Sequence, residues 1–335
     1  MNRKTGLRLW IAITLTIPLL LLLVLIRAPA ARTATPPPGD PTDDTSAADT
    51  VDYYGTPIHR LALLGQAEIG ETGRNHVGPD GIYHASGVLV DRSAPSGTRR
   101  IYVADTGNNR ILGFDYACEI SGTCQMDGSR PADLVIGQPD FAHASCNGDN
   151  NLGFNRAPTS GTLCLLGYPF SNNTAEYWMR TNLDVDAEGN LYVPDVWNNR
   201  VLRYNQPFSA DTSGGKGDTV ADFVWGQPDM TSNGRNRGPY VGTVNPPDDR
   251  SLWINFGPPD HVSARGVSVD PDGNLWVADT FNNRVLRFSP DSQQADLVLG
   301  QPDFTSSGCS PNGPLDRMCT PTLARVHPDT GNLYV

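Results

Sequence analysis

With 34 glycines and 28 prolines among 335 residues, the chain carries a turn former every few positions, which suits short strands and excludes a helical bundle. Charged residues make up 18% and the formal net charge is -11, so nucleic acid and anionic lipid headgroups, which select Lys/Arg-rich faces, are not expected partners. The length admits one large all-β domain or two ordinary ones.

The chain opens with Arg3, Lys4 and Arg8, followed by an uncharged run from Leu9 to Ile26. As a helix this run spans about 27 Å, close to a hydrocarbon core of roughly 30 Å. The basic residues would hold its N-terminal side in the cytoplasm and place everything after Arg27 outside. Ala28-Pro29-Ala30 also offers an A-x-A cleavage site, so residues 1–30 read as a transmembrane anchor or a signal peptide. The expected location is the cell membrane, single-pass with an extracytoplasmic C-terminal domain, or secreted if that site is cut. Residues 31–52, rich in Pro, Thr and Asp and without an apolar run, read as a disordered stalk. The folded part is expected over 53–335.

Three stretches, 86–141, 180–230 and 266–304, repeat one text. Each holds four short runs of Val, Leu, Ile and aromatics separated by turn residues such as Glu188-Gly189-Asn190 and Asp272-Gly273-Asn274. Four short strands joined by tight turns make one twisted antiparallel sheet, and such a sheet in series signals a radial or stacked array. Arg60 to Gln66 matches the last strand of a unit, by comparison with Ala132 to Gln138, as a ring closed by its own N-terminal strand would need. The chain stops at Gly331-Asn332-Leu333-Tyr334-Val335, inside a motif, so about 3.75 blades are expected here.

Tyr102-Val103-Ala104-Asp105 with Asn109-Arg110-Ile111, Tyr192-Val193-Pro194-Asp195 with Asn199-Arg200-Val201, and Trp276-Val277-Ala278-Asp279 with Asn283-Arg284-Val285 resemble NHL repeats. That resemblance implies an all-β propeller of four-stranded blades, six in the closed ring. Calling the strands of a unit A to D, the long insertions after Gln138 and Gln227 are both D–A connections, so one face carries the long loops. Asp105, Asp195 and Asp279 recur in every unit and are expected to accept hydrogen bonds in the turn that follows, since a catalytic acid needed once would not repeat.

Six cysteines after an export segment permit disulfides. Cys146 and Cys309 each lie eight residues after the repeated glutamines Gln138 and Gln301, and each has a second cysteine before the next unit. The expected pairs are Cys118/Cys124, Cys146/Cys164 and Cys309/Cys319. The unit between has Arg235 at the cysteine position and no second cysteine, which reads as loss of the pair together. No C-x-x-C stands in the chain, and neither a metal nor another cofactor is expected.

Candidate ligand-binding residues sit just before strand A on the loop-bearing face: His84, Arg180, His261 and Arg265. Two histidines and two arginines could bind an anion or, with a third ligand, a metal; propeller lyases related to the NHL family hold a metal on histidines there. The Asp-Pro-Asp-Gly-Asn turn at Asp270 is explained by its Gly-Asn pair rather than by calcium, because a twelve-residue calcium loop is absent. Neither a G-x-S-x-G nor a nucleotide fingerprint occurs. The expected function is a binding or scaffold module for a protein, peptide or glycan, with a lyase or hydrolase at the channel mouth as the alternative.

Overall fold

The computed structural model describes residues 50–53, 56–59, 77–96, 98–117, 131–148, 157–166, 181–239, 242–255, 266–309 and 316–335. Leu9 to Ile26 and Leu61 to Gln66 lie outside them, and so do Cys118, Cys124, Arg180, His261 and Arg265. Among the described residues no helix is long and apolar enough to cross a membrane. The chain divides into two units, Met1–Ile58 and His59–Val335. Near their boundary β1 (Thr50–Tyr53) and β2 (Thr56–His59) pair as a two-stranded sheet.

The second unit repeats one four-stranded antiparallel sheet. The first sheet is β3 (Ala85–Asp91), β4 (Thr98–Asp105), β5 (Arg110–Ala117) and β6 (Leu134–Ile136), in that spatial order. The second is β7 (Asp184–Val185), β8 (Leu191–Asp195), β9 (Arg200–Tyr204) and β10 (Phe223–Trp225). The third is β11 (Val267–Val269), β12 (Leu275–Asp279), β13 (Arg284–Phe288) and β14 (Ala295–Leu299). β15 (Arg325–Val326) and β16 (Leu333–Tyr334) begin the same pattern again. The register is equally regular, with Asp105 opposite Arg110, Asp195 opposite Arg200 and Asp279 opposite Arg284.

The turns follow from local chemistry. At the first turns of the second and third sheets, Gly189 and Gly273 take φ of 91° and 82°, a region closed to most side chains. Asp186 accepts the amides of Glu188 and Asn190, and Asp270 those of Asp272 and Asn274. The same carboxylates accept Tyr192 Oη and Trp276 Nε1, so each turn is tied to the strand that follows it and its acid is used in doing so. In β15–β16 His327 occupies this place, and its Nδ1 accepts the Asp329 amide.

Neither face of a sheet can stay in water, because the strands carry apolar residues on both. Leu89, Tyr102 and Ile111 of the first sheet therefore pack with Leu191, Val193 and Leu202 of the second. Tyr192, Val201 and Trp225 of the second pack with Val267, Val277 and Leu286 of the third. Trp276 and Val285 of the third pack with Ala324 and Val326. Burying each such side chain is worth about 1.5–3 kcal/mol.

The first strands of successive sheets run side by side. Asn182 and Gly266 form a parallel bridge, and Gly87 lies so close to Thr181 that a Cβ on it would sit 2.2 Å from the Thr181 carbonyl oxygen. These strands are the inner wall of the array.

Candidate functional site

The repeated acid of every sheet ends its second strand, and the chain then makes a one-turn 3₁₀ segment closed by an asparagine in the left-handed region. Asn109, Asn199 and Asn283 have φ of 52°, 49° and 54°, which asparagine tolerates better than other non-glycine residues. That geometry turns the following arginine back toward the acid. Arg110 Nε lies 2.6 Å from Asp105 Oδ2, Arg200 2.8 Å from Asp195 and Arg284 2.7 Å from Asp279, all six side chains fully buried. Asn108, Asn198 and Asn282 donate to the same oxygens.

The remaining atoms are also used. The other carboxylate oxygen accepts a backbone amide from the D–A loop: Tyr83 for Asp105, Cys164 for Asp195 and Trp253 for Asp279. The arginine fork reaches carbonyls of two successive D–A connections, as Arg200 does with Met230 of one and Thr159 and Thr162 of the other. Arg284 repeats this with Phe304, Asp248 and Ser251. Burial pushes the Asp105 and Asp195 carboxyls upward, while the facing guanidiniums and amide donors pull them back. The aspartates thus have the acceptor role expected of them. The partnership of the arginines is the part that sequence reasoning missed, and its signal was their constant spacing of five residues after each aspartate.

The loop-bearing face is built on these anchors. Gln138, Gln227 and Gln301 donate through Nε2 to the carbonyls of Asn109, Asn199 and Asn283 and to those of Ser145, Gly234 and Gly308. Next to them the loops are clamped. Cys146 is bonded to Cys164 and Cys309 to Cys319, with Cα separations of 4.4 and 4.9 Å, as the spacing led one to expect. The middle unit is not simply without its pair: the Arg235 guanidinium sits over the Trp253 ring, 5.6 Å from its centroid. Trp253 follows Gln227 by the same interval as Cys164 follows Gln138, a signal present in the sequence.

Of the proposed ligand residues, His84 alone is described. It has φ of 52°, is partly buried, and its ring meets that of Tyr83 edge-on at 4.2 Å. Beside it Ser86 Oγ and Thr106 Oγ1 are 2.5 Å apart, and Ser86 Oγ accepts the Thr181 amide, so the start of strand A in the first unit is joined to that in the second. Further along the inner wall, Asp184 accepts Ser268 Oγ and the Val269 amide, with Arg325 Nη1 at 3.5 Å. Among the described residues no group of three or more His, Cys, Asp or Glu is placed to hold a metal ion.

Serial four-stranded antiparallel sheets, packed face to face with their first strands in parallel, define a β-propeller blade array. Residues 263–288, the stretch that holds β11 to β13, match the family model of the NHL repeat. Over 71 residues it is 34% identical to the peptidylglycine alpha-amidating monooxygenase of Rattus norvegicus, which is 21% of this chain and 7% of that protein. The B form of the Xenopus laevis enzyme is 33% identical over 70 residues, again 21% of this chain and 7% of the relative. The chain thus spans a small part of the curated relatives it matches. Among solved structures, a Bacteroides thetaiotaomicron protein of unknown function aligns at TM-score 0.34 and 12% identity over 72% of this chain and 42% of that one. Virginiamycin B lyase from Staphylococcus aureus aligns at TM-score 0.28 and 12% identity over 67% and 43%.

Proposed function

We propose that this chain is a membrane-tethered, extracytoplasmic NHL-repeat propeller whose loop-bearing face binds a protein, peptide or glycan ligand. The observation that carries this reading is the use of the repeated acid, asparagine and arginine of each unit in holding the backbone. With the repeated polar groups spent, what differs between units is the loops after Gln138, Gln227 and Gln301, and a rigid scaffold presenting variable loops on one face suits recognition. The basic N-terminal residues before an uncharged run support the tether, and two disulfides in those loops support an oxidising compartment. His84, Arg180, His261 and Arg265 are the proposed contact residues.

A second reading, a lyase or hydrolase at the channel mouth, is favoured by the 34% identity over 71 residues to an enzyme that by its name acts on peptidylglycine. One experiment separates the two. The full chain, immobilised in nanodiscs, is screened on peptide and glycan arrays and then assayed for conversion of a glycine-ending peptide. Saturable binding without conversion, lost when His84 and Arg265 are both changed to Ala and kept when Asp291 on the opposite face is changed to Ala, is the expected result. Conversion of the peptide would establish the enzyme instead.

A further inference from the structure

The Asn147 amide donates to the Leu163 carbonyl at 3.0 Å and the Asn236 amide to the Leu252 carbonyl at 3.0 Å, so Arg235 and Trp253 stand on the same frame as Cys146 and Cys164 one unit earlier. In the first and third units these two positions are spent on each other in a disulfide. In the middle unit they are a cation and a ring. The ring is fixed: Trp253 Nε1 donates to the Asn255 carbonyl at 2.8 Å, the Trp253 carbonyl accepts the Phe281 amide at 3.1 Å, and the Phe281 ring lies 5.6 Å away at a tilt of 35°. The Arg235 guanidinium rests over it, 5.6 Å from its centroid. All three side chains are partly exposed.

A guanidinium stacked on a ring uses its flat face and keeps the N–H donors along its edge. Among the described residues the edge of Arg235 makes one weak hydrogen bond, from Nη2 to the Gly242 carbonyl at 3.5 Å, and faces no carboxylate. The other charges of this loop are matched. Arg237 lies 3.8 Å from Asp248 and Arg250 4.0 Å from Asp249, while Asp229 accepts the hydroxyls of Thr231 and Ser232. Arg235 is thus an unmatched cation, held in place by an aromatic ring, in a chain of net charge -11.

We propose that Arg235, backed by Trp253 and flanked by Phe281, is a carboxylate subsite on the loop-bearing face, and that its occupant is an Asp or Glu side chain of a peptide ligand. The in-plane donors of a guanidinium match the two oxygens of a carboxylate, and a guanidinium gives up its water more readily than an ammonium does. Arginine and tryptophan together are also the residues on which binding energy concentrates at interfaces. A uronic acid is disfavoured because a sugar lays its C–H face on an open ring, and here the guanidinium lies over the ring of Trp253. The inference rests on the reading of the loop-bearing face as the ligand face, and it names the chemistry of one contact there.

The test uses the full chain in nanodiscs and three immobilised probes: octapeptides randomised apart from one central Glu, the same set with Gln in that place, and tetragalacturonate. The Glu set should be retained about tenfold or more over the Gln set, and Arg235→Gln should weaken binding of the retained peptides by about tenfold or more. Arg235→Lys, which keeps the charge and loses the fork, should bind with intermediate strength, and it carries the test if the Gln variant does not fold. Arg250→Gln removes the same charge from an arginine that already has its aspartate and should change binding by less than about twofold. Glu and Gln sets retained equally, or Glu peptides bound as well by Arg235→Gln and Arg235→Lys as by the unaltered chain, would overturn this proposal and leave the ligand face standing. Stronger retention of tetragalacturonate than of the Glu set would overturn the peptide assignment. No retention of any probe would overturn both this proposal and the reading of the face on which it rests.

Discussion

At the scale of the residue, Asn199 shows how one side chain meets several demands at once. Its backbone takes φ of 49°, its Nδ2 donates to the Asn233 carbonyl, and its Oδ1 accepts the amides of Ile254 and Asn255 from the loop leading to the next sheet. Asn199→Gly keeps the left-handed backbone and removes the hydrogen bonds, whereas Asn199→Ala loses both. Chemical unfolding should show both variants destabilised, with Ala worse than Gly by about 1 kcal/mol, the cost of a Cβ in that region. Equal losses would mean that the turn does not need its left-handed residue. The Asp–Arg pairs beside it are held for another reason. A buried pair adds little net stability over an apolar substitute, but removing one partner strands a charge in the interior and costs about 3–5 kcal/mol.

At the scale of the element, the sheets were legible in the sequence because short apolar runs, β-branched residues and Gly-Asn turns all report on a strand through short-range sterics. The runs from Leu275 to Ala278 and from Val285 to Phe288 fall within β12 and β13. The disulfides after Gln138 and Gln301 were legible because two cysteines at one offset have one obvious reading. The Arg235–Trp253 contact was not, since a cation and a ring pair without a covalent signature and each has many other uses. The turns out of the last strands depend on Gly137, Gly226 and Gly300, at φ of 91°, 86° and 83°. A Cβ on Gly226 would also fall 2.5 Å from the Leu252 side chain. Gly226→Ala should therefore cost about 1–3 kcal/mol from backbone strain with crowding added, measured as a lower denaturant midpoint at unchanged slope. A neutral substitution would show that this turn relaxes without loss.

At the scale of the whole second unit, the sheets are held to one another by facing apolar side chains and by polar contacts along the inner wall. Ser268 joins three first strands, donating to Asp184 and accepting the Val326 amide. The polar contacts were not visible from the chain text, because Asp184, Ser268 and Arg325 occupy neighbouring first strands but differ in chemistry, and a repeat comparison reads such positions as noise. The candidate contact residues were chosen by their place before strand A. His84 takes that place at the start of β3, next to the Ser86–Thr106 pair that joins the first two units.

The central claim is that the repeated acids belong to the fold and the unrepeated loops to recognition. Its most direct test is to change Asp105, Asp195 and Asp279 to Ala one at a time in the full chain and measure the unfolding free energy of each. The three aspartates share one set of partners, so three losses of similar size, each about 3–5 kcal/mol, are the predicted result. One aspartate whose removal leaves stability unchanged while abolishing binding or turnover would contradict the claim and mark that residue as part of a functional site.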